Sequence, residues 1–308
     1  MASGRLVVAV PARDEAERLP RLLDALARQT MPAALILLSL NNTSDQSGEA
    51  IAEARRRHPD LKVEVDHVRF PPAQAHAGSA RRRAMDLAAD LAGPEGLLLT
   101  TDADTRPPPD WLAANAAAMA RGLDIVGGRI VIDELEPVPA AVAAATRLAD
   151  RYWTQVRAIE DAIDPVPWDP PPRHGDHTGA SLCLSVATYR DCGGVPAVRS
   201  GEDRALVREV LRRGGRLAHP ADIWTRVSPR TIGRAADGMA DHMKRLRDDS
   251  LAKAAVMVPS FEQWRRRAAW RRGFRERGGA ALIADLEAGL PPMVNDMVLD
   301  EHCLGVPA

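Results

Sequence analysis

The sequence predicts an α/β fold in which a mostly parallel sheet is flanked by helices. Apolar segments of strand length alternate along the chain with segments whose apolar residues recur at helical spacing. Polar loops connect the predicted strands to the helices that follow them. This alternation is typical of β–α–β units with right-handed crossovers, which place neighbouring strands parallel to one another.

The predicted elements begin close to the amino terminus. Strands are predicted at residues 5–10, 35–40 and 61–65, in the apolar run that begins at Leu97, and at 124–132, 180–186 and the start of 223–230. Helices are predicted around the leucines at 19–26 and at residues 50–57, 79–91, 138–163, 189–195 and 200–215. The Pro-rich residues 164–172 interrupt regular structure, as binding walls and plain connectors both do. Trp168, His174 and His177 offer a surface for a polyhydroxylated substrate if this segment is a binding wall.

The composition is that of an ordinary globular protein. Of its 308 residues, 45% are hydrophobic and 27% charged, and the formal net charge is −1. Nothing in this balance calls for nucleic acid, because the basic residues are not gathered into one tail. The few cysteines lack metal-site spacing, and no window reaches the length of a membrane span. We therefore expect buried or idle thiols and a cytoplasmic protein, with a peripheral membrane contact and the oligomeric state left open.

Two carboxylates follow the apolar run at Leu97. Asp102 and Asp104 stand at i and i+2, so in an extended chain they point to the same side just beyond the strand. Open α/β sheets bind ligands at that edge. Oxygen ligands suit Mg²⁺ or Mn²⁺ and leave positions for water and phosphate. The motif therefore predicts a metal that bridges to a diphosphate; the alternative is that these carboxylates only end the strand and cap the next helix.

The loops after the first, second and fourth predicted strands, residues 11–15, 40–45 and 102–104, should meet in one crevice. No Gly-x-Gly-x-x-Gly follows the first strand and no Gly-Lys-Ser/Thr loop occurs, so we expect metal and arginine to hold the phosphates. A second acid pair, Glu202 and Asp203, opens a predicted helix. Taken alone, this pair is explained by the helix dipole and by capping.

Six segments together resemble the inverting family 2 glycosyltransferases, whose fold is GT-A. In chain order they are residues 10–19, 40–45, 80–84, 102–104, 193–194 and 201–204. The resemblance runs from about residue 7 to about residue 238. It implies a Rossmann-like GT-A domain over residues 1–231, which binds the nucleotide sugar and carries the catalytic residues, and a helical C-terminal extension over residues 232–308.

The resemblance also implies an activity: metal-dependent transfer of one sugar from a nucleotide-diphosphate sugar, most simply UDP- or GDP-linked, to an acceptor hydroxyl. Asp203 would be the catalytic base with Glu202 as its neighbour, and Asp104 would be the firmest ligand of Mn²⁺ or Mg²⁺. Asp102 would lie towards both ribose and metal. The residues implied to bind the nucleotide donor are Pro11, Arg13, Glu15, Asn42, Arg81 and Arg230.

The chain departs from the family pattern at three places. Asn41 and Asn42 stand where the family commonly has two aspartates, which leaves the base of the donor open. Arg230 lies near the position where related enzymes supply a further metal ligand, so His219 and His242 are the remaining candidates for that ligand. The Gln-x-x-Arg-Trp motif of processive synthases is absent, which favours transfer of a single sugar. A nucleotidyltransferase and a non-catalytic nucleotide-sugar-binding protein are the competing classes.

The C-terminal residues predict a basic helix. Ser260 and Gln263 have the spacing of a capping box, and the helix they open carries seven arginines: Arg265, Arg266, Arg267, Arg271, Arg272, Arg275 and Arg277. Such a helix, which also bears Trp264, either lies on an anionic membrane or a partner or presents an ordinary solvated face.

Overall fold

The structure is a computed structural model that describes residues 5–231, 233, 240–241, 243–245, 248 and 255–305. Its strands are β1 (Leu6–Ala12), β2 (Leu35–Asn41), β3 (Val63–Val68), β4 (Leu97–Thr100), β5 (Thr105–Arg106), β6 (Ile125–Gly127), β7 (Arg129–Ile132), β8 (Leu182–Ser185), β9 (Leu217–Ala218), β10 (Trp224–Val227), β11 (Met257–Pro259) and β12 (Asn295–Val298). Its helices are α1 (Leu19–Ala27), α2 (Ser47–Arg57), α3 (Ala77–Ala92), α4 (Trp111–Met119), α5 (Ala140–Ile163), α6 (Val186–Asp191), α7 (Glu202–Arg212), α8 (Phe261–Glu276) and α9 (Ile283–Ala288).

The central sheet has the strand order β3-β2-β1-β4-β8-β6-β9. Strands β3, β2, β1 and β4 run parallel to one another, and β8 runs antiparallel between β4 and β6. The prediction of a mostly parallel sheet flanked by helices is therefore confirmed. Because β1, β2 and β4 end at the same edge, the loops that follow them meet there, as the crevice prediction requires.

The core lies on both faces of this sheet, since side chains alternate along each strand. In β1, Leu6, Val8 and Val10 pack towards α1, α2 and α4. Val7 and Ala9, on the other face, pack towards α3, α6 and α7. Full burial of one such aliphatic side chain contributes roughly 1.5–3 kcal/mol, so the two apolar layers hold the strand ends that carry the polar loops.

The single strand predicted at residues 124–132 is wrong, because the chain changes sheets within it. Strand β6 pairs with β8 and β9 in the central sheet, whereas β7 pairs with β10 in a second sheet of order β5-β10-β7. The turn falls at Gly128, where an added Cβ would lie 2.1 Å from the hydroxyl oxygen of Ser181. Only a glycine allows this close approach, so the Gly127-Gly128 pair marks the change of sheet.

The C-terminal segment is not wholly helical, which corrects the predicted helical extension. Strands β11 and β12 form a separate antiparallel pair, and α8 packs along α5 through Tyr152 and Trp264. The expected capping box does not form: Ser260 and Gln263 both bond to Asp296 instead. The boundary at residue 231 stays a prediction, and the helix predicted from Ile232 falls largely outside the described residues.

Five of the seven arginines in and beside α8 form ion pairs with acids of the chain. Arg271 and Arg275 pair with Glu160 and Asp164 of the α5 region, and Arg267 pairs with Glu287. Arg266 and Arg272 pair with glutamates within α8 itself. This internal pairing favours an ordinary charged face over a membrane contact, which stays a prediction. Within the described ranges, no helix combines the length and the apolar character needed to cross a membrane.

Candidate active site

A cavity of about 500 Å³ opens at the carboxyl edge of β1 and β4. Its walls come from the loops after these strands, the loop before β8, the start of α7 and the loop after β10. The structure brings nine of the ten predicted site residues into this lining: Pro11, Arg13, Glu15, Arg81, Asp102, Asp104, Glu202, Asp203 and Arg230. The volume is in the range of small-molecule sites.

On one side of the cavity, Asp104 is held by an arginine. Its carboxylate lies 2.8 Å from Nη2 of Arg230, and Nη1 of the same arginine donates to Glu15 at 2.8 Å. Burial raises the pKa of Asp104 to about 6, while the nearby charge of Arg230 acts in the opposite direction. The ion pairs of Arg230 therefore connect its own loop to the loop after β1 and to the loop after β4.

Asp102 lies beside a second arginine, Arg81 of α3. Nη2 of Arg81 donates to Oδ1 of Asp102 at 2.6 Å, and Nε donates to Glu202 at 3.0 Å. Burial acts to lower the pKa of Arg81, but the neighbouring carboxylates more than offset it, so the pKa is raised and the guanidinium is charged. Asp102 is 39% exposed and Glu202 only 7%, so Asp102 is the one open to a ligand.

Asp203 faces the cavity from the start of α7. Its Oδ2 accepts a hydrogen bond from the backbone N–H of Gly179 at 2.8 Å, and its Oδ1 accepts one from the N–H of Arg204 at 2.7 Å. The residue before the helix, Gly201, has no side chain to cap it. The carboxylate is thus held by donors on two sides and can accept a proton from a group in the cavity.

The residues present fit a bound Mg²⁺ or Mn²⁺. Asp102 and Asp104 offer oxygen ligands at one wall, and the guanidinium beside Asp104 shows that this wall stabilises positive charge. In the part of the chain that the structure describes, no group of three His, Cys, Asp or Glu side chains is placed to hold a metal. The remaining ligands would therefore come from donor phosphates and water, and Arg230 would have to release Asp104.

Asn42 is placed differently from the prediction. Its side-chain amide donates to the carbonyl of Phe70 at 2.8 Å and accepts from the N–H of Phe70 at 3.1 Å. Among the described residues it is not part of the cavity lining, whereas Asn41 is. The backbone of Asn42 has a φ of 47°, in the left-handed region that asparagine tolerates. The prediction that Asn42 faces the base is therefore not supported by its position.

The histidines near the Pro-rich segment are turned inward. His177 and His219 lie 3.1 Å apart, and His219 pairs with Asp169 at 2.8 Å. Burial lowers the pKa of His174 to about 3 and that of His177 to about 4, and electrostatic repulsion from His219 is the second cause in both. Both of these rings are half-buried, and His177 contacts His219 within the protein. Their contact with a polyhydroxylated substrate stays a prediction. None of the three lines the cavity within the described ranges, and the other candidate metal ligand, His242, lies outside the described residues.

His76 and Arg245 are among the cavity residues that the sequence-based prediction did not name. His76 caps α3, with its ring nitrogen accepting from the N–H of Ser79 at 3.3 Å, and it lines the cavity. Its position in the sequence, after Pro71-Pro72 and before a helical pattern, is the feature that could have marked it as a helix-capping residue. Arg245 also lines the cavity, and no sequence motif marks it.

Comparison with known proteins finds a matching family and similar solved structures. No curated protein matches the chain. The model of a family described as "Glycosyl transferase family 2" matches residues 7–161, which is half of the chain.

Two solved structures have folds similar to that of this chain. The mannosyltransferase PcManGT from Pyrobaculum calidifontis, solved with GDP-Man and Mn²⁺, is 18% identical with a TM-score of 0.55, over 96% of this chain and 77% of that one. Residues 1–349 of S. aureus TarS, solved with UDP-GlcNAc, are 16% identical with a TM-score of 0.53, over 93% of this chain and 82% of that one. At these identities the likeness shows a shared fold.

Proposed function

We propose a specific reaction for this chain, which belongs to glycosyl transferase family 2. One sugar passes from a nucleoside-diphosphate sugar to an acceptor hydroxyl. The reaction depends on a metal and inverts the configuration at the anomeric carbon. The chain is a glycosyltransferase with the GT-A fold. One observation carries the proposal. A single cavity is lined by the Asp102–Asp104 pair after β4 and, on another wall, by Asp203 at the start of α7.

The donor side is proposed to lie along Pro11, Arg13 and Glu15 and to reach Asp102 and Asp104. The solved neighbours hold UDP-GlcNAc and GDP-Man, which supports a UDP- or GDP-linked donor here. Asn41, rather than Asn42, is the amide that lines the cavity, so we propose it as the group nearer the nucleoside.

Asp102 and Asp104 are proposed to hold Mn²⁺ or Mg²⁺, which when bound offsets the charge that develops on the departing diphosphate. Arg230, once it leaves Asp104, keeps its contact with Glu15 and has further N–H groups to offer to phosphate oxygens. Asp203 takes the proton of the acceptor hydroxyl as that oxygen bonds to the anomeric carbon. The bond from this carbon to the diphosphate oxygen breaks in the same step, so the configuration inverts.

The acceptor is proposed to approach beside Asp203, where Thr178, Ser200 and Arg204 line the cavity. These side chains offer hydroxyl and guanidinium groups for orientation. We also propose a cytoplasmic location, which is supported by the free state of Cys183, Cys192 and Cys303.

Nucleotide binding tests the proposed donor class directly. Thermal unfolding would be followed with UDP, GDP, dTDP and CDP, each with Mn²⁺ and with EDTA. We expect one uracil or guanine nucleotide at about 100 times its Kd to stabilise the protein by about 2.7 kcal/mol, a rise of roughly 5 °C in Tm, only when Mn²⁺ is present. No shift with any nucleotide, or an equal shift in EDTA, would contradict a metal-bridged donor.

The pH dependence of metal binding is a separate expectation. Because the pKa of Asp104 is raised to about 6, its carboxyl is protonated below that pH and ionised above it. Metal must displace this proton, so the affinity for Mn²⁺ in the presence of a nucleotide sugar should fall about tenfold per pH unit below pH 6 and level off above pH 7. Titration calorimetry from pH 5 to 8 would measure this. Asp104→Asn is the control, and it should show a weak, pH-independent affinity; an equally flat profile in the wild type would refute the expectation.

A further inference from the structure

The buried guanidinium of Arg81 connects three separate walls of the cavity. Nη1 donates to the hydroxyl of Thr100 at 2.9 Å and to the carbonyl of Gly179 at 3.0 Å. Nη2 donates to Asp102 at 2.6 Å, and Nε donates to Glu202 at 3.0 Å. These partners belong to the end of β4, to the loop before β8 and to the start of α7. One side chain from α3 therefore sets the relative positions of all three.

Two of these partners lead directly to Asp203. Gly179 accepts from Arg81 through its carbonyl and donates to Oδ2 of Asp203 through its N–H, at 2.8 Å. Glu202 precedes Asp203 in the chain and is itself fixed by Nε of Arg81. The side chain of Glu202 and the carbonyl of Gly179, both next to Asp203, are thus bonded to the same guanidinium, which also bonds to Asp102.

The guanidinium of Arg81 packs tightly against Gly179. A Cβ added at Gly179 would lie 2.3 Å from Cζ of Arg81, so any larger residue would push the guanidinium away. The side chain of Arg81 is only 7% exposed. Of its five N–H groups, four are used by Thr100, Gly179, Asp102 and Glu202, which leaves one for anything else.

We infer that Arg81 is a positioning residue that sets the distance between the base, Asp203, and the donor carboxylate, Asp102, rather than a clamp on the nucleotide. The inference rests on the proposed function, because it assigns these two carboxylates to opposite ends of the reacting bond. Four of the five N–H groups of Arg81 already donate hydrogen bonds, so the guanidinium cannot bind a diphosphate with several N–H groups unless it breaks its bonds to the cavity walls. Its effect on the reaction is therefore exerted through the groups it holds, where misplacement of about 1 Å costs about 100-fold in rate.

Arg81→Lys tests the inference, because lysine keeps the charge but lacks the planar fork that reaches several partners. Gly179→Ala is the second variant, since its Cβ displaces the guanidinium while leaving Arg81 chemically intact. Arg82→Lys is the matched control: its side chain sits on the same helix and bonds to the carbonyls of Val195 and Gly193. The readouts are the Kd of UDP and GDP by calorimetry and the rate of nucleotide release from UDP-GlcNAc and GDP-mannose with Mn²⁺.

We expect both Arg81→Lys and Gly179→Ala to lower kcat by about 100-fold. Their nucleotide Kd should stay within about threefold of the wild type, because the nucleotide is held elsewhere. Arg82→Lys should match the wild type in both readouts. A large rise in Kd with kcat nearly unchanged would make Arg81 a nucleotide contact, and wild-type kcat in both variants would make its role one of folding alone; either result overturns the inference.

Asp203→Asn, measured in parallel, separates the inference from the proposed function. If Asp203→Asn is inactive while Arg81→Lys and Gly179→Ala turn over normally, the inference fails and the assigned base stands. If Asp203→Asn itself keeps the wild-type rate, the proposed base is wrong, and the inference falls with it.

Discussion

Asp104→Ala should abolish turnover and the metal-dependent part of nucleotide binding. The side chain is buried to 14% exposure at the cavity wall, and its carboxylate faces the cation Arg230. Loss of one of two carboxylate ligands removes the metal and the charge it offsets on the diphosphate, an effect of several kcal/mol, or about 10³-fold or more in rate. The fold should survive, because Arg230 keeps its ion pair with Glu15 at 2.8 Å.

The matched control for this variant is Asp110→Ala. Asp110 is exposed, lies near the same motif and makes no capping hydrogen bond with α4. Calorimetry with the stabilising nucleotide, with and without Mn²⁺, would compare the two variants. We expect Asp110→Ala to keep the metal-dependent gain in affinity and Asp104→Ala to lose it. Equal gains in both variants would remove the basis for the metal assignment.

Asp203→Asn should keep the fold and donor binding while lowering turnover by about 10²- to 10⁴-fold. Asparagine has nearly the same shape, but its amide cannot take a proton from the acceptor. It can still accept one of the two N–H bonds, from Gly179 or Arg204, and the other is lost at a cost of about 1 kcal/mol. Glu209→Gln is the control on the same helix, because among the described residues Glu209 forms its ion pairs with Arg212 and Arg213 on the surface.

The competing interpretation of Asp203 is that it only caps α7. The geometry partly separates the two roles: one carboxylate oxygen bonds to the helix N–H of Arg204, but the other bonds to Gly179 in a different segment. A capping role predicts that Asp203→Asn and Glu209→Gln both retain turnover. Rates of nucleotide release measured alongside Tm would decide, and wild-type turnover in a correctly folded Asp203→Asn protein would leave Asp203 as a cap.

The carboxyl edge of the sheet could be predicted from local patterns alone. Residues 6–10 form a continuous apolar run, which predicts a buried strand with a packed layer on each face. Val8 and Val10 lie in one layer, and Val7 and Ala9 lie in the other. Pro11 follows the end of this predicted strand and therefore lies at the carboxyl edge, in the cavity wall. Asp102 lies there because it follows the apolar run at Leu97 in the same way. Side chains that directly follow a predicted strand inherit their position from it, as Pro11 and Asp102 do. Arg81, Glu202 and Asp203 belong to helices, and only the resemblance to family 2 glycosyltransferases implies their place at the site.

The features that could not be predicted depend on contacts between distant segments. Asn42 turns away because Phe70, 28 residues later, offers both a donor and an acceptor to its amide. Ser260 forms no capping box because Asp296 competes for its hydrogen bonds. The inward packing of His177 against His219 likewise follows from tertiary structure, as does the convergence of four partners on Arg81. None of these pairings leaves a periodic signal in the sequence.

The most direct measurement of the proposed reaction is the configuration of the sugar at the moment it is released. With a high concentration of enzyme, Mn²⁺ and UDP-α-glucose, UDP-α-GlcNAc or GDP-α-mannose, whichever base stabilises the protein, water serves as the acceptor and ¹H NMR follows the anomeric proton before mutarotation. If Asp203 delivers the attacking oxygen opposite the diphosphate, the β-anomer appears first and Asp203→Asn abolishes its formation. First appearance of the α-anomer would contradict the inverting mechanism and the role assigned to Asp203.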